Sequence, residues 1–241
     1  MIGLVGSGNM AQAFARGLGE QVLCTDSGSG HATALAGALG WEAVASNAEL
    51  ADRADVVVLA HKPAALATVA AEIGDRAKSV ASLLAGTSLA DLSAAFPKTE
   101  VARAMPNLAV EARAGITCLV EGSPKWAVEL FERVGVVVTI PERLMDAATA
   151  VGGVAPAYVA LVAEAWVDAA VEQGLPEALA ATLVLESLAG SSALLRARAM
   201  DTLAVRREVA SPGGVTARGL AALERGGLRS AFADATAAVL K

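Results

Sequence analysis

Ile2-Gly3-Leu4-Val5-Gly6-Ser7-Gly8-Asn9-Met10-Ala11 decides the fold of this chain. A short apolar run, a G-x-G-x-x-A turn over Gly6, Gly8 and Ala11, and an Ala-rich helical pattern make the strand-turn-helix opening of a dinucleotide-binding unit. Gly6 allows the tight turn, Gly8 lets the backbone approach a pyrophosphate, and Ala11 permits close packing of helix on sheet. The helix N-terminus offers unpaired N–H groups to phosphate. The same spacing also suits a tight turn that binds nothing; its place at the first strand of a βαβ series favours the dinucleotide.

Outward from this stretch, short β-rich runs alternate with Ala-rich helical ones as far as residue 141. The strands expected are Ile2-Val5, Val22-Thr25, Asp55-Ala60, Val80-Leu84, Val101-Met105, Ile116-Val120 and Val136-Ile140. Most are continuous apolar runs, as required when helices cover both faces of a parallel sheet. After Pro141 the apolar residues recur at helical spacing almost to Lys241. The expectation is an α/β protein with a Rossmann-type doubly wound parallel sheet over 1–141, followed by an all-α domain over 142–241. Ala178 to Leu195 carries only Glu186 as a charge, and a helix apolar nearly all round must be covered on nearly all sides. A helical subunit interface follows, with a compact helical monomer as the other solution.

Composition narrows the function. Of 241 residues, 55% are apolar and 3% aromatic, and 19 Lys and Arg against 25 Asp and Glu leave a net charge of −6. No broad cationic surface exists to neutralise phosphates, so nucleic acid is not an expected partner. Cys24 and Cys118 lack metal-ligand spacing and only His31 and His61 offer imidazoles, so no metal site is expected. The sequence passes from Met1 directly into the first strand without a basic leader, which makes the cytoplasm the expected compartment. The uncharged run Ala147 to Ala163 is broken by Gly152-Gly153 and Pro156, and reads as the start of a buried helix, not a membrane span.

Hydrolytic signatures are missing: there is no G-x-S-x-G, H-E-x-x-H or P-loop, so the hard chemistry must come from a cofactor. Asp26, about 20 residues beyond Gly6, stands where an acid takes a ribose 2′-hydroxyl and repels a 2′-phosphate. It also suits a loop Asp that caps the next helix. Ser27-Gly28-Ser29-Gly30 beside it can hold a phosphate through hydroxyls and amides. His61-Lys62-Pro63 and Arg103-Ala104-Met105-Pro106-Asn107 end strands on the side where open α/β sheets bind ligands. Ser211-Pro212-Gly213-Gly214-Val215-Thr216 places small residues and hydroxyls at a helix N-terminus, suited to an anion such as a carboxylate and equally to a plain N-cap.

Taken together these residues resemble the pyrroline-5-carboxylate reductase family. The resemblance covers the opening turn, Asn47, the HKP and RAMPN turns, Ala155 to Val159, Asp168 to Val171 with Gly174-Leu175, and Ser211 to Thr216 with Leu223 to Arg229. It implies reduction of a cyclic imine, 1-pyrroline-5-carboxylate, to L-proline by NAD(P)H, in a dimer with interleaved helical domains that is sometimes assembled further. By position, Gly6, Ser7, Gly8, Asn9 and Met10 would lie on the pyrophosphate. Asn47 and Lys62 would lie near the nicotinamide-side ribose and Ala104, Met105, Pro106 and Asn107 along the nicotinamide, with Asp26, Ser27, His61 and Pro63 among the cofactor-binding residues. Ser211, Gly213, Gly214 and Thr216 would hold the imino acid, Thr216 at the ring nitrogen and Ser211 at the carboxylate, as the two catalytic candidates. The chain departs from the family pattern at Gly152, Gly153 and Val154, where Ser-Gly-Ser is usual, at His61, where a small aliphatic residue is usual, and at Leu108-Ala109 in place of Thr-Pro. With Ser27 in place of a basic residue the cofactor leans to NADH. The departures keep two other readings open: a reductase of another imine or carbonyl, and a dinucleotide-binding regulator without turnover.

Overall fold

The structure, a computed structural model, describes every residue except Ser27, Ser29 and Lys241. Its first part runs β1 (Ile2–Val5), α1 (Asn9–Leu18), β2 (Leu23–Thr25), α2 (His31–Leu39), β3 (Glu42–Ala43), α3 (Asn47–Arg53), β4 (Val56–Leu59), α4 (Leu66–Ile73), β5 (Ser79–Ser82), α5 (Leu89–Ala95), β6 (Glu100–Pro106), β7 (Gly115–Val120), α6 (Lys125–Glu132) and β8 (Gly135–Ile140). The strands form one eight-stranded sheet ordered β3-β2-β1-β4-β5-β6-β7-β8.

Alternation along the strands feeds two cores, one on each face. Leu4 and Val58 point into a cluster with Phe14, Leu18, Leu130 and Phe131, while Val5, Val57 and Leu59 point into another with Leu50, Ile73, Leu92 and Phe96. Phe14 and Phe131 meet with ring centroids 5.2 Å apart, joining α1 to α6. Side-chain caps set helix starts on the other face: Ser46 accepts from the Glu49 N–H, and Ser88 and Asp91 cap each other's backbone.

Two details differ from the sequence reading. β7 runs antiparallel to β6, pairing Ala104 with Leu119 and Pro106 with Thr117, so the sheet is parallel-dominated and not wholly parallel. The cause is the short link from Asn107 to Ala114, which holds only a single 3-10 turn over Leu108–Ala112; a parallel return needs a longer crossover. β3 spans two residues, too short to leave a periodic signal.

The remainder is helical: α7 (Met145–Ala148), a π-helical turn (Thr149–Gly153), α8 (Ala155–Glu172), α9 (Glu177–Ala197), α10 (Thr202–Val209), α11 (Val215–Arg225) and α12 (Leu228–Val239). The chain divides into compact units Met1–Pro156 and Ala157–Lys241. Within the second, α9 buries Ala180 and Val184, and α8, α10, α11 and α12 bury no residue fully. The expected buried helix start is therefore corrected: Val159 and Leu161 are exposed within one chain. The stretches 142–172 and 177–197 are long and apolar enough to cross a membrane by length and composition, yet hardly buried here.

Candidate active site

Gly6 ends β1 at φ +112°, with its N–H donating to the Thr25 carbonyl at 3.1 Å. A Cβ there would lie 2.6 Å from the Ala60 carbonyl oxygen and 2.8 Å from the His61 nitrogen, so only glycine lets β1 and β4 end side by side. Gly8 is the N-cap of α1 in extended conformation, without a side-chain cap, and a Cβ on it would meet no atom within 4 Å. Gly8 and Asn9 are exposed, Ser7 and Met10 half-buried, and the Ser7 carbonyl accepts from Gln12 Nε2 at 3.0 Å. An uncapped helix N-terminus behind an open glycine fits a pyrophosphate, which needs N–H donors and close backbone approach.

Asp26 follows β2, and its Oδ1 accepts from the Gly28 N–H at 2.8 Å while Oδ2 accepts from the Ala32 N–H at 2.7 Å. Of its two readings, loop-closing helix cap is thus the one visible in the geometry; Ser27 lies outside the described residues. Asn47 opens α3 and spans two elements, accepting from Thr25 Oγ1 and donating to Glu72 Oε2, each at 2.5 Å. Lys62 is exposed and Pro63 starts a single 3-10 turn. The Lys62 carbonyl accepts from His61 Nδ1 at 2.9 Å, while His61 Nε2 is buried with no hydrogen-bond partner among the described residues.

At the end of β6, Ala104 and Pro106 are buried and Met105 half-buried. The Asn107 side chain donates to the Gly152 carbonyl at 3.0 Å and accepts from the Ile116 N–H at 3.3 Å. Its amide therefore ties the π-helical turn to the β6–β7 corner. Arg103, overlooked in the sequence reading as a functional side chain, is 5% exposed and donates through Nη1 to Glu142 Oε1 at 2.8 Å. That oxygen also accepts from the Leu89 N–H at 2.6 Å. The Leu89 N–H first, and Arg103 after it, hold the Glu142 carboxyl below the usual carboxylate range. The signal was available: an arginine inside an apolar strand must find a partner.

In the second unit, Gly213 sits at φ +67° and Gly214 is the extended, uncapped N-cap of α11. The Gly214 N–H donates to the Ser211 carbonyl at 3.0 Å, and a Cβ on Gly214 would lie 2.3 Å from Ser211 Oγ. The turn thereby sets the exposed Ser211 hydroxyl beside the helix N-terminus, with half-buried Thr216 in the first helical turn. Arg218, which the sequence reading passed over, donates to the Gly213 carbonyl at 2.9 Å and adds positive charge near the same end. Amide, hydroxyl and cation thus gather at one helix end, a chemistry suited to an anion.

A parallel-dominated sheet carrying a glycine turn and an open helix N-terminus defines a protein of the dinucleotide-binding class. Comparison with known proteins makes this particular. Residues 142–241 match the family model for pyrroline-5-carboxylate reductase dimerisation, and residues 1–86 match the one for NADP oxidoreductase, coenzyme F420-dependent. The chain is 39% identical to the pyrroline-5-carboxylate reductase of Synechocystis sp. over 81% of its own length and 76% of the relative's. With that of Thermus thermophilus it shares 41% identity over 78% of its length and 74% of the relative's. The NADP-bound structure of the Plasmodium falciparum pyrroline carboxylate reductase superposes with a TM-score of 0.86 at 26% identity, covering 99% of this chain and 95% of that one. The chain belongs to the pyrroline-5-carboxylate reductase family.

Proposed function

We infer that the chain reduces 1-pyrroline-5-carboxylate to L-proline with NAD(P)H, the closing step of proline synthesis. One observation carries the reading: the chain has two helix N-termini opened by uncapped, extended glycines, Gly8 in the G-x-G-x-x-A turn, which suits a pyrophosphate, and Gly214 beside Ser211 and Thr216, which suits a carboxylate. Bound NAD(P)H supplies the hydride that the imine carbon accepts. The protein's part is to orient and polarise. Gly213, Gly214 and Ser211 fix the carboxylate, so that ring position is set before reaction. Thr216 donates its hydroxyl to the ring nitrogen, where electron density grows as the carbon–nitrogen double bond becomes single. A protonated imine already carries its N–H and needs no further proton on hydride addition, whereas a neutral imine takes one from water.

Asp26 supports use of NADH at least equal to NADPH: its carboxylate occupies the loop N–H groups that a 2′-phosphate would need, and its charge opposes that phosphate. The apolar faces of α8 and α9 support a homodimer through the helices, of the obligate kind that buries more than about 2,000 Å². The cytoplasm is the compartment proposed.

Steady oxidation of NADH or NADPH on adding pyrroline-5-carboxylate, with proline as product, is the expected result. Gly152, Gly153 and Val154 carry no hydroxyl in the segment beside Pro156, which favours a second reading, an altered imine substrate. Turnover of a larger cyclic imine with none on pyrroline-5-carboxylate would select it, and saturable cofactor binding without turnover on any imine would overturn both.

A further inference from the structure

His61 carries a group that the mechanism above does not use. A carbonyl oxygen only accepts, so the 2.9 Å contact between His61 Nδ1 and the Lys62 carbonyl places the proton on Nδ1. In the neutral ring Nε2 is then a hydrogen-bond acceptor, and it is buried with no partner among the described residues. A buried acceptor left unsatisfied carries a cost that any donor reaching it relieves.

Position says what that donor is. The His61 backbone nitrogen would lie 2.8 Å from a Cβ on Gly6, so the residue abuts the glycine turn. In the sheet order β2-β1-β4, the two halves of a dinucleotide held at the β1 turn fall to opposite sides of β1. Asp26 after β2 marks the adenosine side; His61 after β4 is on the nicotinamide side. The first hydroxyl donors beyond the pyrophosphate there are those of the ribose. A phosphate oxygen, an acceptor itself, does not pair with neutral Nε2.

We propose that His61 Nε2 accepts a hydrogen bond from a hydroxyl of the nicotinamide-side ribose, making His61 an anchoring residue for the reduced half of the cofactor. The proposal rests on the dinucleotide reading of the Gly6 to Met10 turn. Nε2 is covered in the free chain, so seating the ribose uncovers it. An unsatisfied acceptor is thereby exchanged for a satisfied one.

The test is calorimetric titration of the full-length protein with NADH and with ADP, which lacks the nicotinamide-side ribose. His61→Val is expected to weaken NADH about tenfold, the usual worth of one hydrogen bond, and to leave ADP within about twofold. His61→Asn, which can keep the Lys62 contact but has no atom at Nε2, should behave like valine, whereas His61→Gln, whose amide reaches that place, should retain most of the affinity. In labelled protein the Nε2 nitrogen resonance should shift on adding NADH and not on adding ADP. Unchanged NADH affinity in His61→Val, or an equal loss for ADP, overturns the proposal. If the native protein binds none of NADH, NADPH and ADP, the dinucleotide reading itself has failed and takes the proposal with it.

Discussion

The two units of the chain solve the burial problem differently. In the first, Phe14, Leu50, Leu59, Leu92 and Phe131 are closed off by the chain's own helices on both faces of the sheet. In the second, Leu161 is 64% exposed, Leu185 58% and Trp166 50%, and among the described residues only Ala180 and Val184, both in α9, are buried. Both units are rich in apolar residues, so composition does not separate them. The difference lies in layering: a sheet with helices on both faces encloses a core, whereas long helices apolar on several sides leave surface that one chain cannot cover. The second unit leaves apolar helix faces open, and residues 142–241, which contain it, match the family model for pyrroline-5-carboxylate reductase dimerisation.

Leu185→Glu breaks this comparison most directly. On the isolated chain an exposed position should tolerate Glu; in a helical interface each copy loses about 1.5–3 kcal/mol of apolar burial and gains a desolvated charge. Sedimentation should show loss of the dimer, with loss of helical signal. A variant that stays dimeric with an unaltered melting temperature would defeat the interface. Phe14→Ala sharpens the other side: removal of a fully buried ring that packs on Phe131 should cost about 3–5 kcal/mol. Hydrogen exchange should place the loss in β1 to β4 while α8 and α9 keep their protection; uniform loss in both units would mean that they unfold as one.

The sequence reading was uneven for reasons traceable to particular residues. The strand from Ile2 to Val5 and the turn at Gly6 were legible because continuous apolar runs and punctuating glycines are local signals. The antiparallel β7 was not, since Ile116 to Val120 reads alike in either direction and only the short link after Asn107 decides it. Asp26 drew two readings because a carboxylate suits a ribose hydroxyl and a helix cap equally; which N–H groups it meets is settled only by the loop's course. The Asn107 amide bonds to Gly152, 45 residues on, as well as to the nearer Ile116, and a contact at that separation leaves no local pattern. Arg103 and Glu142 pair across a similar gap that no periodicity records.

Activity sharpens the division of labour between the units. Thr216→Ala, in the second, should lower kcat about ten- to a thousandfold, or about 1.4–4 kcal/mol, and leave NADH affinity unchanged. Ser211→Ala should chiefly raise KM. Full kcat in Thr216→Ala would move the donor elsewhere. Asp26→Ala, in the first unit, should shift preference toward NADPH about tenfold, near 1.4 kcal/mol, without touching the KM for the imine. Because Asp26 also closes its loop on Gly28 and Ala32, Asp26→Ser serves as the control that keeps a cap while removing the charge. A native enzyme with a hundredfold preference for NADPH would sink the assignment.

The smallest effect concerns acid stability and again falls on the first unit. Asp55, at the start of β4, accepts from Lys78 Nζ at 2.7 Å and from the Met1 amine at 2.7 Å. The Lys78 hydrogen bond first, then that of the amine, lower its pKa from 3.8 to about 2. A carboxyl whose folded pKa is depressed contributes stability that is fully present above its unfolded pKa and disappears as pH falls through the folded one. The contribution should therefore be constant at neutral pH, begin to fall near pH 4, and be gone below about pH 2. The group is solvent-exposed, so salt should weaken the effect. Melting temperatures of native protein and Asp55→Asn, measured across pH, should differ slightly at neutral pH and converge on acidification. A gap that widens as pH falls would show that the sign is wrong, and one that ignores salt would show that the pair is shielded in a way its exposure does not allow.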